Sequence, residues 1–67
     1  MSEGGVFTFT AQAACGRADV FLSGNMPRLT RSALKKIFDG GGVEINGKAA
    51  KPSHGVRAGD VVSVVVP

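Results

Sequence analysis

The stretch Arg28–Lys48, RLTRSALKKIFDGGGVEINGK, carries most of the information about the fold. Its apolar residues recur at helical spacing and form one stripe, which comprises Ala33, Leu34, Ile37 and Phe38. Thr30 is a suitable N-cap for this helix. Residues 40–42 are three glycines, and they end it because each glycine costs about 1 kcal/mol in a helix relative to alanine. The stretch therefore predicts a short amphipathic helix that begins after Thr30.

The segment after the glycines predicts a β-hairpin. Val43 and Ile45 alternate with Glu44, as in a strand with one buried face. Asn46-Gly47 is the favoured pair for a two-residue type I′ turn, because both positions need a positive φ. Further on, residues 58–60 predict a turn, and Val61–Val66 (VVSVVV) predicts the strongest strand of the chain.

The segments before the amphipathic helix complete the fold prediction. Residues 6–11, VFTFTA, alternate phenylalanine and threonine and predict a strand. A shorter helix follows within residues 16–25, with Ala18, Phe21 and Leu22 toward the core and Gly24-Asn25 ending it in a left-handed cap. The order β-α-α-β-β-β predicts an α+β fold with two helices on a small, mostly antiparallel sheet. We expect residues 1–5 to be a flexible tail and residues 6–67 to form one domain.

The composition argues against several classes of function. The chain has 67 residues, a formal charge of +3 and a single cysteine, Cys15, so it has no internal disulfide and we expect a small buried thiol. The single histidine, His54, lies in a predicted exposed loop, and no spacing pairs two carboxylates for catalysis. We therefore expect no catalytic residue, metal site or cofactor. No apolar run is long enough for a membrane helix and the start lacks a signal-peptide pattern, so we expect a cytoplasmic protein without membrane contact.

Basic residues are concentrated on the second predicted helix. Four of them fall within residues 28–36, where there is no acid: Arg28, Arg31, Lys35 and Lys36. Because the apolar stripe faces the core, these charges face outward together, with Arg31 and Lys35 one turn apart. Ser32 adds a hydroxyl, the helix N-terminus adds N–H donors, and Lys48 follows the predicted hairpin turn, so phosphate oxygens would suit this surface. All four phenylalanines are expected in the core, which leaves none to stack on bases.

In their order and spacing, these segments resemble the S4 RNA-binding domain. The resemblance covers residues 16–66 and rests on four pieces: Arg17-Ala18-Asp19 opening the first helix, Thr30-Arg31-Ser32 opening the second, residues 41–48 (GGVEINGK), and Gly59-Asp60 before the last strand. The leading strand makes the chain similar to the N-terminal S4 domain of large-subunit-type RNA pseudouridine synthases. The catalytic segment of those synthases, with its Arg-Leu-Asp aspartate, has no counterpart in the sequence.

The resemblance implies a module that binds structured RNA, with ribosomal RNA as the expected target, and that is itself a non-catalytic monomer. Its parent protein would be a pseudouridine synthase, an isomerase that modifies RNA. The RNA-binding residues that the resemblance implies are Arg17, Thr30, Arg31, Ser32, Lys35, Lys36, Asn46, Gly47 and Lys48.

Other functions stay open on the sequence alone. A stand-alone S4 protein would bind ribosomal or transfer RNA without an attached enzyme. A protein-interaction module would use Val61–Val66 as a sheet edge that pairs with another strand, and its binding would barely respond to salt. An intact RNA-modifying enzyme would show turnover, which we do not expect of these residues.

Overall fold

The computed structural model describes residues 5–66 and has the predicted order of elements. In chain order they are β1 (Gly5–Thr10), α1 (Ala18–Asn25), α2 (Arg31–Asp39), β2 (Val43–Ile45), β3 (Lys48–Ala49) and β4 (Val61–Val66). Of the predicted tail, residues 1–4 lie outside the described residues and Gly5 already belongs to β1. Pro67, the last residue of the predicted domain, also lies outside them.

The four strands form one antiparallel sheet in the order β1-β4-β2-β3. Val43 lies opposite Val64 and Ile45 lies opposite Val62, so these four apolar side chains share one face. Glu44 and Ser63 lie opposite each other on the other face. One face of the sheet is therefore apolar at its centre, and this is the face that the helices cover.

The position of β4 corrects one expectation from the sequence. Val61–Val66 pairs with β1 along its whole length and with β2 on its other side, so it is an interior strand and not an edge. A run of valines identifies a strand but does not identify its neighbours, which is why the sequence left this position open. The protein-interaction function that required an exposed β4 edge thus has no structural basis.

The core joins both helices to the apolar face of the sheet. Leu22 of α1 and Leu34, Ile37 and Phe38 of α2 are buried together with Val43, Ile45, Val62 and Val64. The predicted apolar stripe of α2 is confirmed, although Ala33 at its border is only half-buried. Each fully buried side chain of this size contributes about 1.5–3 kcal/mol, so a handful of contacts accounts for most of the stability that such a small domain can have.

The phenylalanines are less buried than the sequence predicted. Phe38 is buried, while Phe9 and Phe21 are half-buried and meet edge to face with their ring centroids 6.5 Å apart. Phe7 is 41% exposed, so its assignment to the core is wrong. It lies on the outer strand β1, beyond the position at which Phe21 of α1 covers Phe9. Cys15 is also only half-buried, and its thiol donates to the carbonyl of Arg17 at 3.3 Å.

The turns and helix ends follow the sequence with one exception. Asn46 and Gly47 have φ values of 53° and 83°, as a type I′ turn requires. Neither Gly24 nor Asn25 has a positive φ, so the predicted left-handed cap of α1 is wrong. The helix ends instead with the Asn25 amide donating to the Phe21 carbonyl at 2.8 Å, beside a bond from the Met26 N–H to the Leu22 carbonyl. The asparagine side chain therefore satisfies a carbonyl that a left-handed residue would otherwise have satisfied.

The glycines after α2 form a Schellman motif that joins the helix to the sheet. Gly41 has a φ of 75° and its N–H donates to the Phe38 carbonyl, while the Gly42 N–H donates to the Ile37 carbonyl at 2.8 Å. The Gly42 carbonyl then accepts from the N–H of Val65 in β4. A Cβ on Gly42 would lie 2.9 Å from Cγ2 of Ile37 and 3.0 Å from the Val65 carbonyl oxygen. Gly42 thus fixes the distance between the end of α2 and β4.

Among residues 5–66, no helix is long and apolar enough to cross a membrane.

We predict that Gly42→Ala destabilises the domain by roughly 1–3 kcal/mol, the usual cost of overpacking, because neither a core side chain nor a sheet carbonyl can move freely away from the added methyl group. Urea unfolding followed by circular dichroism measures this change. Gly40→Ala is the control, since Gly40 has an ordinary φ of −83° and its nearest neighbour to an added Cβ is at 3.4 Å. Equal unfolding free energies for the two variants would contradict this description of the α2–β4 junction.

Candidate nucleic-acid interface

The N-terminus of α2 is formed by the residues that the sequence singled out. The Thr30 hydroxyl oxygen accepts a hydrogen bond from the Ala33 N–H at 3.1 Å, which confirms Thr30 as the N-cap. The first helical residues, Arg31 and Ser32, are exposed, as are Lys35 and Lys36 one turn later. The buried residues Leu34, Ile37 and Phe38 on the adjoining face of the helix set this orientation.

A groove between the two helices, which we call the helix groove, collects three of the predicted binding residues. Arg31 and Lys35 line its α2 side, and Arg17, which precedes α1, lines the other side. The only ion pair within residues 5–66 joins Arg17 to Asp19, so neither Arg31 nor Lys35 is neutralised by a carboxylate of the described chain. The remaining lining residues are Asp19, Val20, Ser23, Gly24, Leu34, Phe38, Asp39 and Pro52.

Arg17 is held by a two-bond contact with Asp19. Its Nε donates to Oδ1 at 3.0 Å and its Nη2 donates to Oδ2 at 3.1 Å. This contact raises the pKa of Arg17 and lowers the pKa of Asp19, chiefly through the side-chain hydrogen bonds. Asp19 Oδ1 also accepts a hydrogen bond from the Val20 N–H at 2.8 Å. Asp19 therefore bonds both to Arg17 and to a backbone N–H in the first turn of α1. Because a guanidinium has five N–H donors, Arg17 keeps several for a ligand, but its charge is partly offset.

A second groove lies beside the β2–β3 turn, and we call it the hairpin groove. It is lined by Asn46 and Lys48 from the hairpin and by residues from the segment before β4, in full Ile45, Asn46, Lys48, His54, Gly55, Val56, Arg57 and Asp60. It contains no residue of α2. Lys48 would have lain near the basic helix if the hairpin packed beside it, but the structure groups Lys48 with the 54–60 segment.

Asn46 and Asp60 hold the hairpin groove together. The Asn46 side chain donates to Asp60 Oδ1 at 3.0 Å and accepts the Val61 N–H at 2.9 Å. Asp60 Oδ2 accepts the Arg57 N–H at 2.9 Å. These donors, Arg57 first and Asn46 second, lower the pKa of Asp60. The side-chain amide of Asn46 thus has a structural role. An RNA contact by Asn46 would use the same amide group that already bonds to Asp60 and Val61.

The nine residues implied by the resemblance are consequently divided. Arg17, Arg31 and Lys35 meet in the helix groove, and Asn46 and Lys48 meet in the hairpin groove. The other four are exposed and line neither groove: Thr30, Ser32, Lys36 and Gly47. The 51–55 loop borders both grooves, because Pro52 lines the first while His54 and Gly55 line the second.

His54 and Arg57 read as ordinary surface residues in the sequence, and the structure places both beside Lys48. In the sequence, Gly59-Asp60 indicates a turn just after Arg57. In the structure the Asp60 N–H closes this turn by donating to the Arg57 carbonyl. No local pattern indicates that Asp60 also reaches Asn46 across the fold. Within residues 5–66, no group of histidine, cysteine or acidic residues could hold a metal ion.

Asp60 makes a testable contribution to stability. Since its pKa in the fold lies below the ordinary 3.8, its stabilising effect is complete above that value and is lost as the pH falls through the folded-state pKa. We predict that Asp60→Asn unfolds at lower urea concentration than wild type at neutral pH, and that the difference shrinks below about pH 3.8. Asp39→Asn is the control, because the Asp39 carboxylate accepts no hydrogen bond within the described part of the chain. A difference that stays constant with pH would contradict this role.

Comparison with known proteins agrees with this architecture. The model of the S4 domain family matches residues 16–62. An uncharacterized RNA pseudouridine synthase of Chloroflexus aurantiacus is 35% identical over 51 residues, which is 76% of this chain and 16% of the relative. The chain therefore spans less than a fifth of the length of that relative. No solved structure matches the chain. With the family match covering more than half of its residues, the chain belongs to the S4 domain family, whose members are RNA-binding modules.

Proposed function

We propose that this S4 domain binds folded RNA through its phosphates, with the helix groove as the main contact, and that it serves as the N-terminal domain of an RNA pseudouridine synthase. One observation carries the first part of the proposal: Arg31 and Lys35 line the same side of one groove and neither is paired with a carboxylate of residues 5–66. An exposed pair of cations one helical turn apart favours a polyanion, because adjacent phosphates neutralise both charges together.

The packing of α2 prepares this contact before any ligand arrives. Leu34 and Phe38 lie on the same turns of α2 as Arg31 and Lys35, and both are buried. The helix therefore cannot rotate about its axis without exposing these two side chains. The cations are therefore held in place by the core, and RNA binding needs only side-chain ordering. Arg31 supplies a planar fork for a phosphate and Lys35 a point charge. Asp19, which also lines the groove, is engaged by Arg17, and Asp39 lies at the C-terminal end of α2. Phosphates are therefore expected to contact the first turns of α2, at Arg31 and Lys35.

The assignment to a synthase is supported by the relative from Chloroflexus aurantiacus, which carries that name and is 35% identical to this chain over 51 residues. Because the match covers 16% of the relative, the reaction itself would belong to a part of the protein outside the shared segment. In that arrangement the S4 domain positions the RNA and the synthase isomerises the uridine. We further propose that ribosomal RNA is the target, that residues 6–67 form a monomeric unit, that no cofactor is needed and that the protein acts in the cytoplasm.

The remaining predicted residues take supporting roles in this proposal. Ser32 and Lys36 lie on the neighbouring face of α2, where they would contact the sugar-phosphate backbone as it leaves the helix groove. Thr30 already caps the helix through its hydroxyl oxygen, so its contribution is to keep the first turn in place. Gly47 allows the tight turn that carries Lys48.

We predict that Arg31→Ala and Lys35→Ala each weaken binding of a structured ribosomal RNA hairpin by roughly three- to tenfold, since each removes a charged hydrogen bond to phosphate. Fluorescence anisotropy at several salt concentrations measures the affinity. The slope of log affinity against log salt should fall by about one for each phosphate that the variant no longer neutralises.

Lys51→Ala is the matched control for Lys35→Ala, because Lys51 is exposed, carries the same charge and lines neither groove. We expect it to bind as wild type does. Wild-type affinity in both α2 variants would contradict the proposed contact, and so would an equal reduction in Lys51→Ala, which would indicate a general charge effect.

A further inference from the structure

We propose that Lys48, His54 and Arg57 form a second phosphate-binding site in the hairpin groove, and that this site holds a different backbone segment of the same folded RNA. The inference rests on the proposed RNA binding but extends it to His54 and Arg57, to which neither the motif nor the relatives assign a role. The resemblance implies RNA bound over the second helix and the following hairpin, which carries Lys48. The structure places His54 and Arg57 beside Lys48 in one groove.

Three separate parts of the chain converge on this groove. Lys48 is the first residue of β3, His54 lies in the loop that follows β3, and Arg57 opens the turn before β4. All three side chains are exposed, and neither Lys48 nor Arg57 forms an ion pair within residues 5–66. The groove therefore presents two permanent cations, and the imidazole of His54 offers an N–H donor in either protonation state.

The acid in the hairpin groove does not cancel these charges by direct contact. Asp60 accepts the Asn46 side-chain amide on one oxygen and the Arg57 N–H on the other. Both donors are neutral groups, so the side chains of Lys48 and Arg57 stay available to a ligand. Asp60 thus links the hairpin turn at Asn46 to the backbone at Arg57.

The backbone around the site is anchored on both sides. The Asn46 N–H donates to the Val61 carbonyl at 2.8 Å, which fixes the hairpin turn that presents Lys48. Val56 and Cys15 exchange two backbone hydrogen bonds of 2.7 Å each, immediately before Arg57. A ligand at this groove therefore meets a pre-formed backbone, which reduces the entropy cost of binding.

The placement of the two grooves indicates the kind of RNA that would fill both. They border opposite parts of the 51–55 loop, which is itself held by the Asp19 N–H donating to the Pro52 carbonyl at 3.1 Å. Since the two grooves share no lining residue, each would hold its own phosphate. A folded RNA, which offers two backbone segments at a fixed spacing, can fill both grooves, whereas a short single strand would fill either groove alone.

The test compares Arg57→Ala with wild type in the binding of a fluorescein-labelled RNA hairpin with a fully paired stem. We expect a roughly three- to tenfold decrease in affinity and a salt slope reduced by about one. Arg57→Ala keeps the backbone N–H that donates to Asp60, so the fold should be retained, and thermal unfolding by circular dichroism checks this. If the alanine variant does not fold, Arg57→Gln removes the charge and keeps most of the side chain.

Arg57→Lys is the matched control, because it keeps the positive charge at the same position in the hairpin groove. It should bind more tightly than Arg57→Ala. The double variant Lys35→Ala/Arg57→Ala should decrease the affinity by the product of the two single changes, as independent sites do. His54→Ala should show a smaller decrease than Arg57→Ala, since it leaves both permanent cations of the groove in place.

The outcomes separate this inference from the proposed function. If Lys35→Ala weakens binding while Arg57→Ala binds as Arg57→Lys does, the second site is overturned and the helix groove stands. If Arg57→Ala weakens binding while Lys35→Ala does not, the second site stands and the helix groove is overturned. Wild-type affinity in both variants would overturn both.

Discussion

The structure depends on the burial of the apolar stripe of α2 against the centre of the sheet. Leu34, Ile37 and Phe38 pack on the face that carries Val43, Val62 and Val64, and these residues are half of the buried core cluster. In so small a domain few other contacts can replace them. The same packing fixes the rotation of α2, which leaves Arg31 and Lys35 exposed along the helix groove. The hydrophobic core and the charged surface are thus two consequences of one constraint on one helix.

The hairpin groove depends on a different set of interactions. Gly42 sets the distance between the end of α2 and β4, and the Asn46–Asp60 contact ties the hairpin turn to the turn before β4. These contacts are polar and lie at the surface, so they contribute more to geometry than to the hydrophobic free energy. Their effect is to hold Lys48 and Arg57 on two neighbouring segments. The domain therefore presents cations in two grooves that different contacts hold in shape, the helix groove and the hairpin groove. The 51–55 loop borders both.

Local patterns in the sequence were sufficient to predict most of the elements. The stripe of α2, the Thr30 cap and the Asn46-Gly47 turn are encoded within a few residues, and the structure confirms them. The interior position of β4 was not predictable, because strand neighbours are set by pairings across the whole chain. The exposure of Phe7 escaped prediction for a similar reason, since it depends on how far α1 extends over β1. Among the candidate site residues, the α2 cations followed from helical spacing, whereas Arg57 and His54 required the long-range contact between Asn46 and Asp60.

The most direct test of RNA binding by the two grooves is an NMR titration of the isotope-labelled domain with a structured ribosomal RNA hairpin, first at low and then at raised salt. We expect salt-sensitive shifts in two clusters, one at Arg17, Arg31 and Lys35 and the other at Lys48, His54 and Arg57. The amide signals of the interior strands β2 and β4 should shift little. Shifts confined to the exposed sheet face around Val6 and Val65, or no shifts at either groove, would contradict the central claim that these two grooves bind RNA.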